Sequence, residues 1–341
     1  MIYKALIQIS PIAAIALLGS LVFPAKKIET SSNHSVQAAS TQSHPQPIYM
    51  GVSLIWEGDH LQNFNIQSIA RYRKEFQGQN LIHFLSPAYF LKQDHSTAQA
   101  IAKIQSVVRP QDSIGLYLQP WKSIVKKAEL IFRKGPTYWG NTLKDCHRDC
   151  GKEVPLSAYT DSEITKMVIV GKKLLQEHGF PNPKLFLAGG WLASQGVLNS
   201  IASNKIYYDF SAIPPALLKR RLSHFPLYSW INQRWKYVSV FTQPHILQTG
   251  TTNITEIGFS GGIIDFVTHE EMFTLFKQYA KLQKTNPKRA LVFNIGFHQE
   301  TADQFLPRLK RALQNIYAYS QKNGIIIKPL SLPRQKIATN H

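Results

Sequence analysis

The sequence predicts an α/β fold, with one large domain built on a barrel of parallel strands. Short apolar runs rich in strand formers alternate with longer amphipathic runs from about Ile48 to Pro333, and such repeated strand–helix units favour a parallel sheet. The span suits one barrel, since α/β barrels commonly run to about 250 residues. No second linker interrupts it. We therefore expect residues 48–333 to fold as a single domain.

The predicted strands share a high content of β-branched and aromatic residues. They cover residues 49–55, 81–85, 113–118, 185–189, 206–210, 239–242, 254–259, 290–295 and 325–327. The predicted helices share apolar spacing near 3.6 residues. They cover residues 64–76, 98–108, 161–177, 194–203, 270–282 and 302–323. Ser194 is a suitable N-cap for its helix. Residues 125–159 show no period and are predicted to be an irregular insertion.

The first residues predict export. Lys4 precedes an apolar run from Ala5 to Phe23, which is typical of a signal peptide over residues 1–25. An uncleaved N-terminal anchor, attached to a membrane, is the alternative. Residues 26–47 are polar and poor in aromatics, which favours a disordered spacer, and residues 334–341 form a tail. The predicted location is periplasmic, envelope-associated or extracellular.

The charge balance is strongly basic. Lysine and arginine number 39 against 20 acidic residues, which gives a formal charge of +19. Such a surface favours anionic partners, for instance an anionic envelope polymer. Nucleic acid is not expected as a partner, because no helix-turn-helix, zinc finger or aromatic RNA-binding motif is present. A solvated basic surface that only aids solubility remains the alternative.

The two cysteines lie close together, in the segment Cys146-His147-Arg148-Asp149-Cys150. In an oxidising compartment this spacing favours a disulfide that closes a small loop. A zinc site would need further ligands, and no second cysteine pair or spaced histidine pair follows. We therefore predict a Cys146–Cys150 disulfide.

Three predicted strands end in the segments Val52-Ser53-Leu54-Ile55-Trp56-Glu57-Gly58, Gly115-Leu116-Tyr117-Leu118-Gln119-Pro120-Trp121 and Phe186-Leu187-Ala188-Gly189-Gly190-Trp191. These segments resemble motifs of the polysaccharide deacetylase (NodB-homology, carbohydrate esterase) family, whose members remove acetyl groups from glycans with a divalent metal. The resemblance implies a distorted TIM-like (β/α)7 barrel. It also implies sites at the carboxyl ends of the strands, where barrel enzymes carry them.

Each of these motifs has lost its reactive residue. The resemblance implies metal-binding histidines where Tyr117 and Gln119 stand, a catalytic aspartate at Ile55, and its orienting arginine at Leu187. Zinc chemistry needs three protein ligands and an open position. We therefore expect no cofactor, with zinc or another divalent cation only if the site is rebuilt, and Glu57 and Asp59 as weak ligands.

Other features of the motifs survive. Gly296-Phe297-His298-Gln299-Glu300 resembles the late motif whose histidine is a general acid, so His298 is the first candidate catalytic residue and Glu57 the second. Tyr208-Asp209-Phe210-Ser211 resembles the strand after the third motif. Substrate-binding candidates are Trp191, Tyr117, Gln119, Trp121 and Asp209. The alternatives are core packing for Trp191, a hydrogen-bonded strand end for His298 and a solvated carboxylate for Glu57.

Three functions are consistent with these observations. The first is an exported, deacetylase-like protein that binds or acts on N-acetylated glycans without standard metal catalysis. The second is an active hydrolase, in which Glu57 pairs with Asp59 or Glu256 as in glycosidases. A serine hydrolase is a weaker form of it, because Gly258-Phe259-Ser260-Gly261-Gly262 matches a nucleophile elbow, although a glycine-rich turn is favoured. The third is a basic envelope-binding protein.

Overall fold

The computed structural model describes residues 45–92, 96–144, 146, 148–250 and 252–332. The predicted signal peptide, most of the spacer and the tail 334–341 lie outside the described residues. Among the described helices, none combines the length and the apolar character needed to cross a bilayer.

Ten described strands form one sheet. They are β1 (Ile48–Trp56), β2 (Ile82–Leu85), β3 (Ser113–Leu118), β4 (Leu185–Ala188), β5 (Tyr208–Asp209), β6 (His245–Leu247), β7 (Ile254–Glu256), β8 (Gly262–Ile263), β9 (Leu291–His298) and β10 (Ile327–Pro329). The order across the sheet is β6-β7-β5-β4-β3-β2-β1-β9-β8, and β10 pairs with β1 beside β2. Except for β6, which runs antiparallel to β7, every pairing is parallel.

One bent segment joins the two ends of this sheet. β7 pairs with β5, and Phe259 N–H then donates to Ala212 O. A few residues later β8 pairs with β9, and Gly261 N–H donates to Asn294 O. The segment from β7 to β8 thus fills one position in the barrel wall. The other six positions are filled by β1, β2, β3, β4, β5 and β9, which gives seven strands around the barrel. The predicted distorted (β/α)7 barrel is confirmed.

Nine described helices accompany the sheet. They are α1 (Asn63–Glu75), α2 (Thr97–Gln105), α3 (Lys122–Lys127), α4 (Asp161–Glu177), α5 (Gln195–Ser203), α6 (Lys219–Leu222), α7 (Pro226–Arg234), α8 (His269–Thr285) and α9 (Ala302–Asn323). The six predicted helices are present, and Ser194 caps α5 by accepting from Val197 N–H. Helices α3, α6 and α7 were not predicted. They are short or carry a weak apolar face.

Two strand predictions need correction. Residues 239–242 form a turn in which Ser239 N–H donates to Thr242 Oγ1, because a local side-chain bond replaces a ladder partner. The run at 206–210 pairs only at Tyr208 and Asp209. The predicted disulfide joins Cys146 to Cys150, inside an insertion that is irregular apart from α3 and a single turn at Leu156–Ala158.

Aromatic and aliphatic side chains pack both faces of the sheet. Phe84 on β2 meets Phe210, which directly follows β5, with ring centroids 5.0 Å apart. Phe293 on β9 packs outward against Phe276 of α8. These side chains are all fully buried. Burial of such side chains from water is the main favourable term in folding. A packed interior leaves only the strand ends and their loops available for binding.

A buried polar network lies beside Trp56. Arg73 donates two bonds to the Asp112 carboxylate, at 2.7 and 3.0 Å. The Trp56 indole N–H donates to His83 Nδ1 at 3.2 Å, and His83 Nε2 lies 3.2 Å from Asp112. Since Nδ1 accepts, Nε2 carries the proton and donates. Burial raises the pKa of Asp112, but His83 and Arg73 outweigh it and hold that pKa below its usual range.

Candidate functional site

The carboxyl ends of the central strands bring together the main catalytic candidates. Glu57 follows β1, and His298 ends β9 directly opposite, since Ile55 and His298 are partners in the ladder. His298 Nε2 lies 4.0 Å from Glu57 Oε1. Their side chains are 11% and 26% exposed, respectively. The structure therefore places both predicted residues in one partly open cluster.

A carboxylate holds the other side of the His298 ring. Asp265, two residues after β8, lies with Oδ2 3.1 Å from His298 Nδ1. Its second oxygen accepts a 2.6 Å bond from the Thr301 hydroxyl. An oriented carboxylate on Nδ1 fixes the ring and leaves Nε2 directed toward Glu57.

This environment makes His298 a cation near neutral pH. Burial disfavours the charged ring, but Asp265 first, and then Glu57 and Glu300, outweigh it and raise the pKa of His298 to about 9. Burial likewise opposes the charge of Asp265, yet His298 holds the pKa of that carboxyl below its usual range. The pair is therefore an ion pair with a protonated hydrogen-bond donor.

Glu300 is a partly buried acid behind this pair. Its Oε1 accepts from Tyr89 Oη at 2.5 Å and from Glu57 N–H at 3.1 Å. Burial and the nearby Glu57 carboxylate raise the pKa of Glu300 to about 8. Asn65 donates to Glu300 O at 2.9 Å and accepts from Asp303 N–H, which anchors the loop after β9 to α1.

The positions that resemble the metal motif are filled by neutral, buried side chains. Tyr117 and Gln119 are each about 3% exposed. Burial, and then the Glu57 carboxylate, raise the pKa of Tyr117 well above its ordinary value. Tyr138, from the insertion, is buried next to them: a Cβ built on Gly189 would lie 3.2 Å from its hydroxyl and 2.2 Å from Gln119 Cγ.

Trp191 occupies a strained turn after β4. Gly190 and Trp191 both have positive φ, at 63° and 59°. Trp235 Nε1 donates to Trp191 O at 2.7 Å and fixes the turn. The Trp191 ring meets His298 edge-on, with centroids 6.1 Å apart. Strain of this kind costs about 1–3 kcal/mol and persists where the surroundings impose it. Trp191 Nε1 is buried, and no described residue bonds to it.

Trp121 and Asp59 form the side of the cluster that faces the insertion. Trp121 Nε1 donates to Glu57 O at 2.9 Å. Asp59 pairs with Lys152, whose ammonium also lies 5.7 Å from the Trp121 ring. Burial raises the pKa of Asp59, but the Lys152 hydrogen bond and charge lower it further than burial raises it.

Asp209, predicted as a substrate-binding residue, lies apart from this cluster in a buried acidic pair. It is fully buried and accepts a 2.6 Å bond from Ser211 Oγ. Its ladder partner is Glu256, also fully buried, whose Oε1 accepts from Ala212 N–H at 2.8 Å. Burial, and then Asp209, raise the pKa of Glu256 well above its usual range. A single proton-sharing pair inside the barrel explains this geometry.

The same geometry bears on the two hydrolase alternatives. Glu256 has no exposed surface, so it does not pair with Glu57 across a glycosidic bond. Ser260 Oγ accepts from Asn294 N–H at 3.1 Å. The next helix begins only at His269, after the Thr268 cap. The glycine-rich turn is confirmed in place of a nucleophile elbow, because an elbow needs a helix directly after the serine.

The donors at the motif positions do not fit a zinc ion. An imidazolium at His298 has no free lone pair, the Asp59 carboxylate is held by an ammonium, and a neutral phenol and an amide stand at Tyr117 and Gln119. Zinc prefers thiolate, neutral imidazole and carboxylate. Within the described ranges, no group of three or more His, Cys, Asp or Glu side chains is arranged to hold a metal ion.

Sequence reasoning missed Asp265, Glu300, Lys152 and Tyr138. Asp265 follows the short apolar pair Ile263-Ile264, and that pair was the available signal for a strand end. Glu300 lies two residues after His298 in the same segment. Lys152 and Tyr138 lie in the aperiodic insertion, where the sequence carries no signal of what they contact.

No protein-family model matches the chain, and no curated protein sequence matches it significantly. Several solved structures do match the fold of the chain. A protein named as a polysaccharide deacetylase, from Mycobacterium smegmatis, is 10% identical with a TM-score of 0.47, covering 85% of this chain and 96% of its own. A family 4 carbohydrate esterase from Streptomyces lividans is 9% identical with a TM-score of 0.42, covering 86% and 98%. The chain is similar to these proteins.

A pseudoenzyme is among the similar structures. The wild-type CE4 family pseudoenzyme from Bacillus anthracis is 8% identical with a TM-score of 0.37, covering 84% of this chain and 65% of its own. All three proteins are named for the family that the motifs resemble.

Proposed function

We propose that this protein is an exported, deacetylase-like protein that binds N-acetylated glycans at the carboxyl end of its barrel, without standard metal-dependent catalysis. The observation that carries the proposal is the Asp265–His298–Glu57 cluster. It presents a charged hydrogen-bond donor and a carboxylate acceptor at the position where barrel proteins carry their sites. Such a pair suits the hydroxyl and amide groups of a sugar.

A cavity that begins at Leu192, the residue after Trp191, supports a sugar ligand, although neither Trp191 nor the Asp265–His298–Glu57 cluster lines it. It has a volume of about 580 Å³, and its lining includes Leu192, Ser194, Gln195, Trp230 and Arg234. Ligand pockets typically combine apolar and aromatic walls with a few placed polar groups. The indole face of Trp230 matches the apolar face of a pyranose. The Ser194 hydroxyl and the Gln195 amide match the polar edge of the sugar ring.

The loss of metal catalysis is proposed from the chemistry of the donors. Tyr117 and Gln119 are buried in neutral form, and His298 is held as a cation by Asp265. The imidazolium has no free lone pair, and a neutral phenol and an amide are not among the groups that zinc prefers, which are thiolate, neutral imidazole and carboxylate. His298 remains suited to donate a hydrogen bond, which a binding protein can use as well as an enzyme.

Calorimetric titration with the hexamer of β-1,4-linked N-acetylglucosamine tests the proposal. His298→Ala should weaken binding by about 10- to 100-fold, since hydrogen bonds to charged groups contribute about 1.5–3 kcal/mol. His178→Ala is the matched control: it removes a histidine that packs against Phe90, and we expect unchanged affinity. Equal affinity of wild type and His298→Ala would refute this site.

One observation favours an active hydrolase as the second candidate. Glu57 and His298 form a base and an acid 4.0 Å apart, and opposed acid and base roles are what catalytic pairs require. The same hexamer distinguishes the two functions. Release of acetate or of shorter sugars that His298→Ala abolishes would favour the hydrolase, and the intact hexamer recovered after long incubation would favour binding alone.

Export is a part of the proposal that the apolar run of residues 5–23 supports. Fractionation of cells that produce the full chain tests it. Recovery in the envelope or medium is expected, and recovery only in the cytoplasm would contradict it.

A further inference from the structure

A second cavity lies on the insertion side of the cluster and is strongly basic. Its volume is about 680 Å³. The cations Lys122, Lys126 and Arg148 line it together with two acids, Asp59 and Asp149. We call this cavity the basic groove.

The wall of the basic groove is fixed by the disulfide loop. The Cys146–Cys150 bond closes the loop, and Lys122 N–H donates to Cys150 O at 2.7 Å. Ser123 donates to Asp149 through its backbone N–H at 3.0 Å and through its hydroxyl at 2.6 Å. These contacts hold Arg148 beside the start of α3.

Among the described residues, the two acids of the groove have partners, whereas three of its cations form no ion pair. Asp149 accepts from Ser123, and Asp59 is paired with Lys152. Among the described residues, no carboxylate forms an ion pair with Lys122, Lys126 or Arg148. Like charges gathered in one concave surface repel each other, and an anionic ligand relieves that repulsion.

The groove adjoins the cluster on the side of Asp59 and Trp121. Asp59, two residues after Glu57, lines the groove, and so does Lys92, whose ammonium lies 4.1 Å from the buried Trp121 ring. Trp121 in turn donates to Glu57 O. A ligand seated in the groove therefore lies beside the cluster.

We propose that the basic groove binds an anionic glycan, one that carries carboxylate or phosphate groups along the chain. The glycan part of this statement rests on the proposed function, and the anionic part rests on the groove itself. Arg148 offers a planar fork that matches carboxylate and phosphate oxygens, and the lysines act as point charges. The concave shape favours a polymer strand over a flat membrane surface.

Titration of the purified full-length protein with hexagalacturonate, and separately with a glycerol-phosphate hexamer, tests the proposal. The groove variant is Lys122→Gln, Lys126→Gln and Arg148→Gln combined, and we expect it to weaken binding of the anionic oligomer about tenfold, as three exposed charges would. The matched control, which changes the same charge on exposed residues, is Lys281→Gln, Lys284→Gln and Arg289→Gln. It should bind like wild type. If the triple groove variant does not fold, Lys126→Gln alone is tested instead, because the Lys126 side chain is exposed.

Each outcome decides the matter. Tenfold weaker binding of either oligomer by the groove variant alone supports the proposal, and the oligomer that binds identifies the anion. Equal weakening by both variants overturns it in favour of unspecific attraction. Tight binding of phosphatidylglycerol vesicles, but of neither oligomer, overturns it in favour of a membrane surface. Binding of the neutral hexamer alone overturns it and leaves the proposed function intact.

Discussion

Asp265→Asn tests how the cluster sets the charge of His298. Asparagine keeps the shape of the side chain and removes its charge. The effect of burial, which lowers the pKa of His298, is then opposed by fewer negative charges. In the wild type, Asp265 is the largest contribution that outweighs burial and raises the pKa of His298 to about 9. In the variant we expect that pKa to fall to about 6.5, the ordinary value for histidine, or below it.

The energy involved follows from the two pKa values. Moving the pKa of His298 from about 9 to about 6.5 corresponds to about 3 kcal/mol, at 1.36 kcal/mol per tenfold change. Because the folded pKa lies above the unfolded one, this stabilisation is fully present below about pH 6.5 and is lost as the pH rises through about 9. The variant should lack the part of the decline that comes from His298.

Two measurements check the prediction. Imidazole ¹⁵N chemical shifts followed against pH report the pKa of His298 directly. Urea unfolding at pH 6, 7.5 and 9.5 reports the free energy of unfolding, whose fall with pH should be larger in the wild type by up to about 3 kcal/mol. Glu300, whose pKa is raised to about 8, contributes a decline that both proteins share. Asp303→Asn removes an exposed carboxylate from the first turn of α9, and this control should behave like wild type. A His298 pKa near 9 in Asp265→Asn would refute the reasoning.

Three further predictions concern stability. Asp112→Ala leaves the buried Arg73 without its partner and should lower the free energy of unfolding by about 3–5 kcal/mol in urea titrations, and a loss below about 1 kcal/mol would contradict the network. Glu256→Gln should change that free energy by less than about 1 kcal/mol at pH 7, because the side chain it replaces is already neutral, and a loss above about 2 kcal/mol would indicate an ionised carboxylate. Gly190→Ala should lower the melting temperature, at a cost of about 1–3 kcal/mol, because φ is positive there and the new Cβ would lie 2.7 Å from the Tyr138 ring; an unchanged melting temperature would count against the strained turn.

Much of the fold could be predicted because its elements are long and periodic. The predictions for α4 and α9 match the structure at both ends, since each combines a clear apolar stripe with a defined start or stop. The predictions failed for short elements. Strand β8 has two residues, and its pairing with β9 depends on a bend that brings residues about 30 positions apart together.

The candidate site could be predicted in part for a similar reason. Glu57 and His298 follow long apolar strands, and parallel strands place their carboxyl ends at one edge. Asp209 also lies on such a strand, yet its side chain is buried and paired with Glu256. The alternation of side chains along a strand decides which face each one takes, and a two-residue strand gives too short a pattern to read.

The sequence by itself determined the alternation of strands and helices and the disulfide. These are local properties, carried by periodicity, spacing and residue type. The interest of Ile55, Tyr117 and Gln119 came from the resemblance of their segments to polysaccharide deacetylase motifs. Only the tertiary structure decided that Asp265 pairs with His298 and that Lys152 neutralises Asp59. The partners in each pair are 33 and 93 residues apart. Contacts at such separations depend on how the barrel closes and how the insertion folds over it, and local residue preferences do not encode them.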